Sequence, residues 1–299
     1  DLIAVSRLVV SPMILVVHPD VPARSVADLV RLAKDKPGDL NFGSPGVGTP
    51  PHMAGELFKR SAHIDVTNIA YKSAPNMLID LLGGLYQYRQ DTRYLSPAPL
   101  YHAAPLRHTM TVLKSGGTAF IMERFDAETA LRLIERERIT HSQWVPAMFI
   151  RMLKLPEQAT RHYDLSSLRY AIHAAAPCPT DVKERMIAWW GPILHEYYAG
   201  TENNGFCAID TAEWQRHRGS VGRAILGELH ICDEHGVEIP VGQEGEVYFA
   251  NGHPFSYHND PDKTAASRNA MQWTTLGDIG RVDDEGYLYL TDRKSLLII

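Results

Sequence analysis

Cysteine is scarce in this chain. The 299 residues hold three, Cys178, Cys207 and Cys232, an odd number with no metal-ligand spacing. A disulfide framework and a zinc site are both excluded as organising devices, and the thiols read as free in a reducing compartment. Long apolar runs are also missing, so no segment is expected to span a bilayer. No signal peptide opens the chain, which makes the cytoplasm the default compartment. The first residue is Asp1 rather than Met, so an N-terminal segment is expected to have been lost. A large excess of charge of either sign is also missing, with 30 Lys and Arg against 35 Asp and Glu. The net value of −5 argues against nucleic acid or an anionic membrane as the main partner. No internal repeat, low-complexity tract or Gly-x-Ser-x-Gly elbow occurs, and a Ser/His/Asp hydrolase loses its main signature.

What remains is an ordinary globular composition, 44% apolar and 22% charged. Charge separates the chain into two parts. Residues 1–86 carry 8 basic and 8 acidic side chains, and the remainder carries 22 and 27. The first part alternates strand and helix. Met13–Val17 reads as a strand. Ser25 caps a helix with Asp28 three residues on, and Pro37-Gly38 stops it. A strand over Asp39–Phe42, a helix from about Met53 to Arg60, a strand over Val66–Tyr71 and a short helix over Pro75–Leu82 follow. This order predicts βαβ units and a parallel sheet. Gly43-Ser44-Pro45-Gly46-Val47-Gly48-Thr49 sits between strand and helix, where phosphate cradles occur, but it has no Lys and is not a Gly-x-x-x-x-Gly-Lys-Ser/Thr loop. Its amides with Ser44 and Thr49 suit a carboxylate equally well, and a tight turn that needs small residues reads the same way.

The second part is again α/β. Strands are predicted at Thr118–Met122, His141–Val145, Leu168–His173 and Ile193–Tyr198, with helices at Asp126–Arg138 and Pro179–Trp190. After Gly205 the pattern shifts to short strands with turns at Asp233–Gly236, Val241–Gly245 and Asp283–Gly286, a small β-rich subdomain in the last third. The expected domains are 1–84, a junction at 85–92, an α/β portion at 93–204 and a β-rich portion at 205–299.

The stretch that organises this second part is Glu196-Tyr197-Tyr198-Ala199-Gly200-Thr201-Glu202. An aromatic ring can lie on a base, glycine lets the backbone approach, a Thr hydroxyl can donate to phosphate, and a Glu can hold Mg²⁺, which prefers oxygen. An ordinary strand-to-loop turn with one exposed acid fits the heptapeptide as well. Ala174-Ala175-Ala176-Pro177 leaves room for a flat ring, Asp278 follows a turn and suits vicinal hydroxyls, and Asp292-Arg293-Lys294 offers a cation.

Two resemblances follow from these motifs. Asn41–Thr49, His52–Phe58, Tyr71-Lys72 and Asp80–Gly84 resemble the periplasmic solute-binding proteins of tripartite tricarboxylate transporters. That likeness implies Ser44, Gly48 and Thr49 as carboxylate contacts. Tyr101–Pro105, Ala175-Ala176-Pro177, Tyr197–Glu202, Gly219–Arg223, Gly277-Asp278 and Asp292–Lys294, in this order, resemble the adenylate-forming superfamily, closest to AMP-forming acyl-CoA synthetases. The resemblance implies a ligase that joins a fatty or aryl acid to CoA through an acyl adenylate, using ATP, Mg²⁺ and CoA. Tyr198, Ala175, Ala176 and Pro177 would flank adenine, Thr201 would touch phosphate, and Glu202 would hold Mg²⁺. Asp278 would bind the ribose diol, Arg293 ribose or phosphate, and His102 would lie between acyl pocket and CoA channel. The family's phosphate loop with its Lys and its C-terminal lysine domain have no counterpart in these residues, and Leu296 stands where the family usually has Asp. The expectation is therefore a fusion of two partial proteins, inactive by itself, with a carboxylate-binding module as the alternative.

Overall fold

The computed structural model describes residues 15, 17, 21–44, 50–70, 82–252 and 255–293. Most of the strand read at Met13–Val17, most of the glycine-rich loop with Gly48 and Thr49, most of the helix read at Pro75–Leu82, and Lys294 to Ile299 lie outside the described residues. The chain divides into two compact units, residues 1–85 and 86–299.

In the first unit, α1 (Val26–Asp35) starts where the spacing predicts. Ser25 Oγ accepts from the Asp28 amide at 3.1 Å and donates to Asp28 Oδ2 at 2.8 Å. Strand β1 (Asn41–Ser44), helix α2 (Pro50–Ala62) and strand β2 (Thr67–Ala70) form one βαβ unit with its two strands parallel. Met53 and Leu57 on α2 are exposed.

The second unit holds two sheets. The larger has the order β4-β3-β5-β6-β7-β8-β9. Its strands β3 (Arg93–Ser96), β4 (Thr118–Ile121), β5 (His141–Trp144), β6 (Tyr170–His173) and β7 (Leu194–Ala199) are parallel, joined through helices that include α3 (Ala103–Lys114), α4 (Ala127–Arg136) and α7 (Thr180–Trp190). Helix α4 buries Ala127, Ala130, Leu131 and Ile134, a stripe at helical spacing, and Asp126 caps it by accepting from the Thr129 amide at 2.8 Å. That stripe packs into a core with Trp144, Phe149, Met186 and Leu194. Each fully buried large side chain there contributes about 1.5–3 kcal/mol.

Strand β5 is an unusual central strand. All four of its residues, His-Ser-Gln-Trp, are buried. Parallel central strands are ordinarily apolar, and this one is tolerated because its polar side-chain atoms, Gln143 Oε1 excepted, find partners. Trp144 Nε1 donates to Ser142 Oγ at 2.6 Å, Gln143 Nε2 donates to the Trp144 carbonyl at 2.9 Å, and His141 Nε2 lies 2.8 Å from the Tyr86 carbonyl.

Strands β8 (Phe206–Ile209) and β9 (Arg223–Leu226) extend this sheet in the antiparallel sense. The β-rich portion read from Gly205 onward is thus shared between two sheets. The smaller sheet begins at β10 (Glu228–Cys232) and continues through β11 (Gly245–Ala250), β12 (Thr274–Val282) and β13 (Leu288–Arg293), all antiparallel. A seam joins the sheets. The Leu288 amide donates to the Gly222 carbonyl at 2.9 Å, the Val221 amide donates to the Leu288 carbonyl at 2.9 Å, and Ser220 Oγ donates to the same carbonyl at 2.8 Å. Gly222 has φ +102, and a Cβ there would lie 2.1 Å from the Ala208 carbonyl oxygen, so the seam admits only glycine. Among the described residues no helix is long and apolar enough to cross a membrane.

Candidate nucleotide-binding corner

Strand β7 runs one residue beyond the end of the predicted strand Ile193–Tyr198. Its Tyr197, Tyr198 and Ala199 pair with Ala208, Cys207 and Phe206 of β8, and the turn follows from Gly200. Successive residues of a strand point to opposite faces. Tyr198 turns toward the smaller sheet, where its hydroxyl donates to Asp278 Oδ2 at 2.6 Å and its ring lies against Phe249, centroids 6.2 Å apart. Burial pushes the Tyr198 phenol up, and the Asp278 carboxylate pushes the same way, so it stays a donor. Asp278 is the register partner of Arg293 on β13, and Arg293 Nε lies 3.4 Å from Asp278 Oδ1. Three sequence-predicted residues, 198, 278 and 293, are therefore one contact group.

The turn that follows is tightly fitted. A Cβ on Gly200 would lie 2.3 Å from Leu276 Cδ1 and 2.9 Å from Glu202 Oε2. Glu202 is half-buried and accepts from the Tyr257 hydroxyl at 3.0 Å, and burial together with this carboxylate pushes the Tyr257 phenol up to about 12. Thr201 is exposed. Asn203 has φ +58 and accepts from Arg107 of α3 at 2.7 Å. Asn204 is buried, its Nδ2 donates to the Thr274 carbonyl at 3.4 Å, and its Oδ1 has no hydrogen-bond partner.

Ala175, Ala176 and Pro177 are exposed just past β6, and Ala175 has φ +76. Strand β6 ends at His173, which pairs with Glu196, two residues before Tyr198 on the neighbouring strand, and the chain bends at Ala175. His102 is the N-cap residue of α3, exposed and packed against Tyr101 with ring centroids 4.4 Å apart and planes tilted by 48°, with no side-chain capping bond. It shares that helix with Arg107 but makes no contact with the Tyr198–Asp278–Arg293 group. In the first unit, Ser44 is fully buried and donates to Asn68 Oδ1 at 3.0 Å, so its hydroxyl is spent within the β1–β2 pair.

The corner has the parts that an adenine nucleotide would need: exposed small residues just past β6 for the base, a close glycine turn for phosphate, and a carboxylate already shared between a phenol and a guanidinium for the diol. No group of three or more metal-ligating side chains occurs among the described residues. Glu202 can offer Mg²⁺ one carboxylate, with phosphate and water as the remaining ligands, the usual arrangement for this ion.

Sequence reasoning missed three contributors. Tyr257 and Arg107 lie outside every motif. The third is a dry ion pair behind the corner, where Lys183 Nζ of α7 donates to Glu196 Oε2 at 2.5 Å, with His173 Nε2 at 3.7 Å.

The chain belongs to the AMP-binding enzyme family, whose model matches residues 69–256. Residues 1–99 match the model of the tripartite tricarboxylate transporter family receptor. The chain is 30% identical over 222 residues to the medium/long-chain-fatty-acid–CoA ligase FadD8 of Mycobacterium tuberculosis, covering 72% of this chain and 38% of that protein. It is 34% identical over 222 residues to the indoleacetate–CoA ligase of Aromatoleum aromaticum, covering 72% and 42%. The amide bond synthetase McbA of Marinactinospora thermotolerans superposes with a TM-score of 0.66 at 30% identity, over 74% of this chain and 45% of that one. The chain thus spans about half or less of the length of these relatives.

Proposed function

We propose that residues 86–299 bind an adenine nucleotide in the corner between β7 and β12, as part of an AMP-forming carboxylic acid–CoA ligase. The observation that carries this reading is the Tyr198–Asp278–Arg293 group, in which residues 80 and 95 positions downstream of Tyr198 converge on its hydroxyl side. Tyr198 with Ala175, Ala176 and Pro177 would flank the base. Asp278 would accept from the ribose diol, Arg293 would neutralise ribose or phosphate charge, and Thr201 would donate to phosphate. Glu202 would hold Mg²⁺. ATP supplies the leaving group for carboxyl activation, and CoA then accepts the acyl group past His102. The residues of the corner position the reactants and neutralise charge.

The same reading assigns residues 1–84 to a partial solute-binding segment, 85–92 to a junction, and 93–204 and 205–299 to the two parts of the nucleotide-binding portion. Within residues 1–299 no phosphate loop with its Lys occurs, so we expect nucleotide binding without turnover by this stretch alone. Such groups act in the transition state, and their loss lowers kcat more than binding. The receptor match over residues 1–99 supports a second reading, a small-carboxylate module. Melting temperature separates the two. A rise with AMP or ATP·Mg²⁺ and none with a small dicarboxylate supports the nucleotide corner, and the reverse result removes it. Formation of acyl adenylate from ATP and a fatty or aryl acid would disprove the inactive reading.

A further inference from the structure

A polar cavity of about 390 Å³ opens at the amino ends of the parallel strands. Gln87, Arg89, Asp91, His141, Arg169 and His195 line it, with Tyr170 as part of the wall. His141 and Tyr170 are the first residues of β5 and β6, and His195 is the second of β7. Open α/β sheets place their reaction crevice at the carboxyl ends of the strands, which is where Tyr198 and Ala175 lie. This cavity is at the other end, separate from the nucleotide corner.

Its wall is a stack of rings. His141 lies on Tyr170 with centroids 4.7 Å and planes 3° apart, and Tyr170 lies on His195 at 5.0 Å and 27°. The two histidines differ in what they can offer a ligand. His141 has both nitrogens engaged, Nε2 at 2.8 Å from the Tyr86 carbonyl and Nδ1 at 2.8 Å from Thr140 Oγ1. A carbonyl can only accept, so Nε2 carries the proton and Nδ1 accepts from Thr140. This ring is a fixed wall. The half-buried His195 ring touches Tyr170 and the edge of Tyr86, and among the described residues it makes no hydrogen bond. Burial depresses it to about 4, so at neutral pH it is uncharged and holds one N–H to give.

The charge of the lining comes from arginine. Arg89 and Arg169 share the cavity with a single carboxylate, Asp91. Asp91 Oδ2 lies 3.5 Å from Arg169 Nη2, and both side chains are more than half exposed. A pair this open holds weakly, and its separation exceeds that of a charge-assisted hydrogen bond. The lining therefore carries a net positive charge, with donors from two guanidiniums, one imidazole and the Gln87 amide. A carboxylate ligand has two acceptor oxygens, whereas a phosphoryl group has at least three and takes donors from more directions.

We infer that this cavity binds a phosphoryl anion, either free phosphate or the phosphate of a small monoester. Arg89 and Arg169 grip its oxygens, the His195 N–H donates to it, and Asp91 competes with it for Arg169.

The test is calorimetric titration of the full 299-residue chain with inorganic phosphate, at an ionic strength held constant with chloride. Phosphate should bind with a Kd of about 1 mM or tighter, and acetate at least about tenfold more weakly. Arg89→Gln and Arg169→Gln should each weaken phosphate roughly tenfold. Arg218→Gln removes an arginine that pairs with Glu184 outside this cavity and should leave phosphate binding unchanged. Asp91→Asn should tighten phosphate by a few-fold, a gain that a merely structural Arg169–Asp91 pair would not give. These side chains are exposed, so the variants should melt close to the parent chain. Phenyl phosphate separates the two sources. Tighter binding than phosphate assigns the site to an ester, and equal or weaker binding assigns it to free phosphate. Absence of phosphate binding overturns the inference, as does acetate binding of equal strength or an equal loss in Arg218→Gln. So does loss of phosphate binding in Asp278→Ala, because the anion would then have been seated in the nucleotide corner.

Discussion

Glu196 and Glu202 lie six positions apart on one stretch of chain, and the fold treats them in opposite ways. Glu196, inside β7, is 4% exposed, and burial raises its pKa while Lys183 pulls the other way. Glu202, past the strand end, keeps part of its surface in water and has a single phenol as its donor. The dry end of β7 fixes the strand against α7, and the wet end leaves its carboxylate partly in water. A carboxylate in this protein is thus structural or available according to whether the sheet or the turn holds it, although both read as the same letter in the sequence.

The contrast can be broken most severely by acid. Burial depresses His195 and His141 to about 4, and it depresses His108 to about 3. Their unfolded value is about 6.5, so the unfolded chain binds more protons between the two values. The stability they contribute is complete above pH 6.5 and is lost as pH falls toward 4. Chemical denaturation followed across this window should show a fall of several kcal/mol, and a flat profile would mean that these rings are solvated.

Lys183→Met strikes the dry end directly. It leaves Glu196 buried without its cation and should cost about 3–5 kcal/mol, read from the denaturation midpoint. Adding Glu196→Leu should recover much of that loss, because the pair can be replaced by apolar packing. At the wet end, Asp278→Ala should weaken AMP binding roughly tenfold, about 1.4 kcal/mol, with a smaller effect on stability. Glu202→Gln should give the smallest effect. It should weaken ATP·Mg²⁺ by a few-fold, about 1 kcal/mol, and leave AMP without Mg²⁺ unchanged in calorimetry. Equal losses for the two ligands would show that Glu202 is not acting on the metal.

Local order was legible where its cause is local. The Ser25–Asp28 cap, the stripe of α4 and the strands at 141, 170 and 194 follow from spacing within a few residues. The mixed α/β character and the antiparallel sheet late in the chain were also legible. What escaped was pairing at long range. Nothing near Tyr198 announces that Asp278 is its hydrogen-bond partner, even though each could be named separately from its motif. Tyr257 and Arg107 reach Glu202 and Asn203 only because α3, the turn after β7 and the loop before α9 (Pro261–Ala266) meet in space. The polar strand β5 could not be foreseen as central, since its burial depends on partners as distant as Tyr86.

The seam at Gly222 and Leu288 has a consequence for binding thermodynamics. Asp278 sits on β12 of the smaller sheet and Tyr198 on β7 of the larger one, so the width of the corner depends on how firmly the sheets are joined. Two backbone hydrogen bonds and the Ser220 hydroxyl fix that joint through Leu288, at a glycine that no other residue can replace without displacing Ala208. A nucleotide seated between the sheets would meet a gap whose walls these bonds already hold, and would spend little interaction energy on ordering the joint. Its affinity would then follow from the groups that line the corner.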